Sequence, residues 1–579
     1  MSKTLFWYIF WNLLRVFVLT VLSLSGIMSF AGLLRPLTEN GLDMEQVNKM
    51  LFYLTPAMST YSLPVSALFA TTVVYGRFSA ENELMAMRAS GISYISLRRF
   101  SIALPAVVLG LLVAVISLLM LCFIVPSYSL KVEQVVYSNI AKVIASHIQR
   151  NHEWKMAGDQ SQSLYADDAH LMPVDASDPL AQRVELIAPA FATYAKPDKG
   201  IIVPREFWMA RRAIVTVRLN PAVGAAGGAD LSAALLDGVK FPREFSGNLQ
   251  AGVAATSFGP VPIPPLIGEQ EGFMNVTRLI QLAADPGKNH RVQIIVQDLI
   301  HREQQRKFLM SIAETIKPKP DDSPPAAYTF KDDSPSGDTF MIFGGKPTMS
   351  PGGELEIKAP LDPDNPRSVA LKQSHGSQQT LFAVAREMRV HAAPDIDPAR
   401  PKFHPRMAVT LELYDAVITT QDSSAGHNSF SRSFAVAMPP EIVSIADKTL
   451  KDYSNDPTLT PEDAYNLRHE QIVANNAVRA ELHARASFAL SCLTLVIVGC
   501  ALGSMFRSGN FLNAFAVSFI PALLCITLLC CGKTAAVHVP YTLTGPIHNP
   551  LPMALAFIWF GNVLVAIAAI VLTIRLQRR

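Results

Sequence analysis

Charge is scarce in this sequence. Asp, Glu, Lys and Arg make up 17% of its 579 residues, against about a quarter in ordinary soluble domains, and half of the residues are hydrophobic. A net charge of +3 leaves no basic footprint for nucleic acid. Cysteine is missing from the polar centre: Cys122, Cys492, Cys500, Cys525, Cys530 and Cys531 all lie in apolar runs towards the ends. That excludes a disulfide framework or a zinc ribbon in the centre, and leaves the thiols as small apolar fillers.

Catalytic patterns are missing as well. No H-E-x-x-H or G-x-S-x-G occurs, and no histidine stands at ligand spacing from a cysteine. His152-Glu153 is followed by Trp154-Lys155, with no second ligand four residues on. Asp167-Asp168 and Asp321-Asp322 are adjacent pairs, and neighbours on a strand point to opposite faces. Gly532-Lys533-Thr534 looks like the end of a P-loop, but the position of its first glycine is Thr527. The chain is therefore expected to be no enzyme, with no catalytic residue, no metal ligand, no cofactor and no nucleotide site of its own.

Apolar length is what the sequence has. Six runs approach or exceed the roughly 20 residues that cross a hydrocarbon core. They are expected at about 12–34, 51–75 and 102–125, then 486–505, 511–532 and 553–574. The first run leads into L-L-R-P-L-T-E-N, a poor cleavage site, so an uncleaved span is expected rather than a signal peptide. Lys3 and Arg15 at one end, and Arg575, Arg578 and Arg579 at the other, put both termini in the cytoplasm, as an even number of spans requires. No Asp, Glu, Lys or Arg lies within the second or third run, which argues against ion-coupled transport. That fits a cavity for a greasy substrate and fits a plain anchor equally well.

Between the second and third runs lies Gly76 to Arg99, with Arg77, Arg88, Arg98 and Arg99. So basic a short loop is expected to face the cytoplasm. It reads as a helix over 79–91. Ser79 is placed to cap it, Glu81 and Glu83 favour its positive end, and Gly91 can close it. Ala80, Leu84 and Met87 form an apolar stripe that could dock in a groove on a soluble partner or lie flat on lipid headgroups.

The centre, about 131–480, alternates with period two at Val184–Ala188, Ala213–Leu219, Phe340–Phe343, Leu355–Ile357 and Met407–Tyr414, which predicts strands. One long helix, polar enough to be solvated on most sides, is predicted from Asn289 to Ile316. The run P-K-P-D-D-S-P-P-A-A after it predicts a linker. Another helix is predicted from Thr460 into the fourth run.

The run A-E-N-E-L-M-A-M-R-A-S-G-I-S resembles the cytoplasmic coupling helix of the LptF/LptG permease family. Ala480–Leu493, leading to Gly499 and Gly503, resembles that family's approach to its fourth span, and His-Asn-Pro-Leu-Pro before the sixth run is similar too. Ser163–Ala169 and Val409–Thr420 look like strands of its periplasmic β-jellyroll. The centre is longer than the family's, so about 225–374 is expected to be an added segment.

The resemblance implies an inner-membrane protein with three helices on either side of an all-β, jellyroll-like periplasmic domain. Such a chain would be the permease subunit of an ABC transporter, lifting lipopolysaccharide out of the inner membrane. Its implied partners are a cytosolic LptB-like ATPase, a second LptF/LptG-type chain and a periplasmic LptC/LptA-like bridge. Glu83, Leu84, Met87, Arg88 and Gly91 would couple to the ATPase. Arg35 and Lys533, at outer ends of spans, would meet lipid phosphates or serve as interfacial anchors. The competing function is an envelope scaffold or sensor that moves nothing.

Overall fold

In the computed structural model, residues are described except 1, 41–43, 95–100, 138–139, 156–161, 174–180, 196–202, 221–227, 242–252, 264–269, 318–326, 334–336, 351–352, 361–366, 377, 396–404, 421–423, 458, 506–510, 541–546 and 579. Two compact units emerge: Met1–Arg243 with Ala254–Asn289 and Arg468–Arg579, and Glu244–Val253 with His290–Leu467.

The first unit opens with α1 (Ser2–Asn40), α2 (Met44–Ala80), α3 (Glu83–Ala89) and α4 (Leu104–Leu119). A single π turn, Met120–Ile124, joins α4 to α5 (Val125–Tyr137), and α6 (Ile140–Asn151) follows. The π turn lies just before Pro126, which cannot donate to the fourth carbonyl upstream, so the helix widens there. Pro56 and Pro64 sit inside α2, where Thr55, Ser59 and Thr60 turn their hydroxyls back onto carbonyls four residues earlier.

A nine-stranded sheet comes next: β1 (Glu153–Lys155), β2 (Gln162–Tyr165), β3 (Asp168–Leu171), β4 (Ala181–Ile187), β5 (Ala190–Ala195), β6 (Val203–Met209), β7 (Arg212–Asn220), β8 (Gly228–Phe241) and β9 (Val253–Ile263). Its order is β1-β2-β5-β6-β8-β7-β4-β3, with β9 on β8. Strands β2 and β3 stand towards opposite ends of that order, yet only Ala166 and Asp167 separate them. Two residues span less than about 10 Å, so the sheet must curl until its ends meet. Ile140, Ile144 and Ile148 of α6, one stripe at helical spacing, fill the curl against Val184, Val215 and Leu231. The stretch Ser163–Ala169 is thus two strands.

After the sheet come α7 (Val276–Ala284), capped by the Asn275 side chain, and α8 (His290–Ile316), which opens the second unit. That unit's sheet comprises β10 (Tyr328–Lys331), β11 (Thr339–Phe343), β12 (Lys346–Met349), β13 (Leu355–Lys358), β14 (Val369–His375), β15 (Gln378–Asp395), β16 (Arg406–Thr420) and β17 (Ser424–Ala437). The path β10-β11-β14-β15-β16-β17 returns on itself through a bridge from Asp332 to Val436. All the pairings described in both sheets are antiparallel, and each of the strands the alternation predicts is present. Helix α8 is polar over most of its surface, as predicted, but one stripe of it is buried. Val292, Val296, Leu299, Phe308, Leu309, Ile312 and Ile316 are buried, a narrow stripe hidden among polar neighbours in the sequence.

The short α9 (Pro440–Val443) and α10 (Leu450–Ser454) precede α11 (Pro461–Met505), α12 (Phe511–Val537) and α13 (Leu551–Arg578). Among the described residues six helices are long and apolar enough to cross a membrane: Lys3–Gly32, Asn48–Ala80, Leu104–Lys131, Pro461–Met505, Phe519–Val537 and Leu551–Gln577. This is the multi-pass architecture the six runs predict, three helices before the β region and three after it. In α11, 78% of the apolar window is buried, against 22% in the first helix, so α11 is the inner strut of the bundle.

Candidate functional site

Helix α3 is shorter than the 79–91 predicted, and Ser79 does not cap it. Helix α2 runs on to Ala80, and the chain turns through Asn82, whose φ of 60° is left-handed. The Ser79 hydroxyl donates instead to the Ser504 carbonyl, 3.1 Å away. Gly91, at φ +82°, closes α3 as predicted, with its N–H on the Arg88 carbonyl and the Ile92 N–H on that of Met87.

Two of the three residues of the predicted apolar stripe, Leu84 and Met87, face inward, and the third, Ala80, ends α2 and is exposed. Leu84 and Met87 are each 8% exposed, packed in one cluster with Tyr75, Phe78, Tyr94 and Ala501 of the same chain. Burial on this scale stabilises by about 1.5–3 kcal/mol per side chain. The surface of α3 is made by Met85 (47% exposed), Ala86, Arg88 and Ala89, with Glu83 half-buried at its edge. Ala80 is exposed and Arg77 turns towards Glu81 and Asn12. A surface hollow of about 370 Å³ beside α3 is lined by Arg88, Gly91, Ile92, Ser93, Tyr94 and Gln577. Arg98 and Arg99 lie outside the described residues.

Behind α3, α2 and α11 touch backbone to backbone. A Cβ on Gly499 would sit 2.4 Å from Thr71 Oγ1, and one on Gly503 would sit 2.7 Å from the Thr72 carbonyl. The G-x-x-x-G spacing of these two residues provides that approach. Tyr94 completes the contact. It is 6% exposed, and its hydroxyl lies 3.0 Å from Ser504 Oγ and 3.2 Å from both the Cys500 carbonyl and Sγ. Burial, reinforced by Cys500, pushes the phenol well above its usual range, so it keeps its proton. The backbone of Ser93 and Tyr94 meanwhile accepts from the N–H groups of Ile102 and Ala103 at the start of α4.

At the other end of α11 the polar contacts are ionic. Glu481 accepts from Arg485 Nε at 2.9 Å and forms an ion pair with Lys533 Nζ at 2.6 Å. Arg485, 2% exposed, also donates through Nη2 to the carbonyls of Glu271, Gly272 and Met274, the segment leading into α7. The Lys533 side chain is 42% exposed. The backbone of Arg35 is helical, and its side chain lies outside the described residues.

The structure thus gathers Glu83, Leu84, Met87, Arg88 and Gly91 in one place and puts Lys533 in another. The exposed Met85, the Tyr94–Ser504 contact and the Glu481–Arg485 pair are beyond the residues singled out by sequence. Of these, only the i, i+4 spacing of Glu481 and Arg485 left a signal in the sequence. Among the described residues no group of three or more His, Cys, Asp or Glu could hold a metal ion.

A family model described as "Lipopolysaccharide export system permease LptF/LptG" matches residues 7–171 and 366–575, more than half of the chain. The match takes in α3 and all but the first residues of α1 and the last of α13, and 172–365 falls outside it. Compared with the curated proteins one by one, the chain matches none.

Proposed function

Because the chain belongs to the LptF/LptG family of lipopolysaccharide export permeases, we propose that it is the membrane-spanning half of a machine whose fuel is burned elsewhere. A cytosolic ABC ATPase grips α3. A second chain of the same type closes the cavity, and a periplasmic bridge receives the glycolipid. The chain sits in the inner membrane with both termini in the cytoplasm and its β region in the periplasm. It catalyses no reaction of its own.

The observation that carries this reading is the two-sided character of α3. One face, Leu84 and Met87, is fastened into the bundle, and the other, Glu83, Met85 and Arg88, is presented outward. A helix that only rested on lipid would gain by turning its apolar stripe towards the bilayer. Fastened inward, it offers a small mixed patch suited to a groove on a protein. Glu83 and Arg88 give that patch its charges, and Gly91 fixes where it ends. Arg35 and Lys533 are the cations proposed for the glycolipid phosphates, Lys533 acting with Glu481 already on its inner side.

The test is reconstitution with an LptB-like ATPase and a bridge protein, following lipopolysaccharide transfer. Glu83→Lys is expected to abolish transfer while the chain remains folded and inserted. Transfer at the wild-type rate with that substitution, or with no ATP hydrolysed, would refute the reading.

A further inference from the structure

Both flanks of α3 converge on a single residue of α11. Four residues before α3 begins, the Ser79 hydroxyl donates to the Ser504 carbonyl at 3.1 Å. Five residues after it ends, the Tyr94 hydroxyl meets Ser504 Oγ at 3.0 Å. Between these ties α3 is rigid at both joints: Asn82 fixes the turn out of α2, and Gly91 and Ile92 cap its end. At Gly499 and Gly503, α11 lies close against the α2 backbone. We propose that Ser504 is the point at which α11 receives the movement of α3, with Tyr94 and Ser79 as positioning residues that hold it there.

The physical argument is one of leverage. From Ser504 to Arg485, α11 continues as uninterrupted helix. At 1.5 Å per residue that is about 28 Å of rod. Displacement of α3 by a docked protein would tug Ser504 from both sides, and the rod would deliver it to the opposite end of the bundle. Tyr94 also holds the start of α4 through its backbone, so the third and fourth membrane helices would move together. Packing alone would need the tyrosine ring but not its hydroxyl. A transmission contact needs the hydroxyl.

This inference rests on the permease reading, and the experiment separates the two. The chain is reconstituted with its ATPase and bridge, and ATP hydrolysis and lipopolysaccharide transfer are measured on one preparation. Tyr94→Phe keeps the ring and is expected to leave hydrolysis unchanged while lowering lipid moved per ATP about three- to tenfold, the loss of one ordinary hydrogen bond. Ser504→Ala removes the same contact from the other side and keeps the test open if the first variant is poorly folded. The double variant should be no worse than either single one. Unchanged transfer per ATP in both variants, or equal falls in hydrolysis and transfer, would overturn the transmission role and leave the permease reading standing. A wild-type chain that moves no lipid with ATP would overturn both.

Discussion

The two ends of α11 are held by opposite means. Near α3 the contact is uncharged: two glycines let the α2 backbone in, and Ser79, Tyr94, Cys500 and Ser504 share short polar bonds. Near α7 it is ionic: Glu481 lies between Arg485 and Lys533, and Arg485 grips three backbone carbonyls. Uncharged contacts of this kind can shift by a fraction of an ångström and re-form at little cost. A buried charge cannot leave its partners without a desolvation penalty of several kcal/mol. The difference lets the α3 end re-form its contacts as it is pushed, while the α7 end keeps its partners and carries the Glu271–Met274 segment with it.

The largest effect should come from breaking the ionic end. Glu481→Ala strands the guanidinium of a residue only 2% exposed, and removing one partner of a buried pair costs about 3–5 kcal/mol. The expected outcome is a large fall in thermal stability in detergent. Faster hydrogen exchange at Glu271–Ala284 should accompany it, because Arg485 is what ties that segment down. Replacing both Glu481 and Arg485 by Met should not restore stability, since three carbonyls lose their donor. If the double variant matched wild type, the anchor would be no more than filler.

Next comes the uncharged end. Gly503→Val sets a Cβ against the Thr72 carbonyl, and overpacking of this kind costs about 1–3 kcal/mol. Exchange should rise at Thr71–Ser79 and in α3 while Glu271–Ala284 stays protected. Loosening spread evenly over both ends would show that they are not mechanically distinct.

How far these ends were legible in the sequence differs between them. The six spans, the strands at Val184, Ala213, Phe340, Leu355 and Met407, and the Gly91 stop follow from hydropathy, alternation and turn chemistry, all local properties. Ser79 misled because a serine before two acids looks like a cap, and only the fold reveals a carbonyl 425 residues away. Leu84 and Met87 share a buried face as their spacing predicts, but Ala80 does not join them, and periodicity does not say which neighbour a stripe meets. Tyr94 gave no signal: an isolated tyrosine in a polar loop looks the same whether its hydroxyl finds water or Ser504. In α8 the abundance of charge masked a narrow buried stripe.

A smaller effect sharpens the comparison by moving the ionic design into the second unit. There Glu303 lies between Lys448, at 2.7 Å from Oε2, and Lys307, at 3.3 Å from Oε1, while Tyr453 donates at 2.9 Å. Burial alone would raise the Glu303 pKa, but bonds from Lys448 and Tyr453 outweigh it, and the carboxyl is held below its ordinary value. A carboxyl whose pKa is depressed on folding contributes stability that is complete above its unfolded value, about 4.3. The contribution is lost as pH falls through the lower, folded value. Exchange protection of Leu450–Ser454 should therefore hold from neutrality to about pH 5 and decline below it. In Glu303→Gln it should already be weaker at neutral pH, by about 1 kcal/mol, and should lose most of that acid dependence. Lys307→Met, at a half-exposed ammonium, should change it by only a few tenths of a kcal/mol. A wild-type profile flat to pH 3 would mean that Glu303 does not fasten α10 to α8. The contrast between pliant and anchored contacts would then apply to α11 alone.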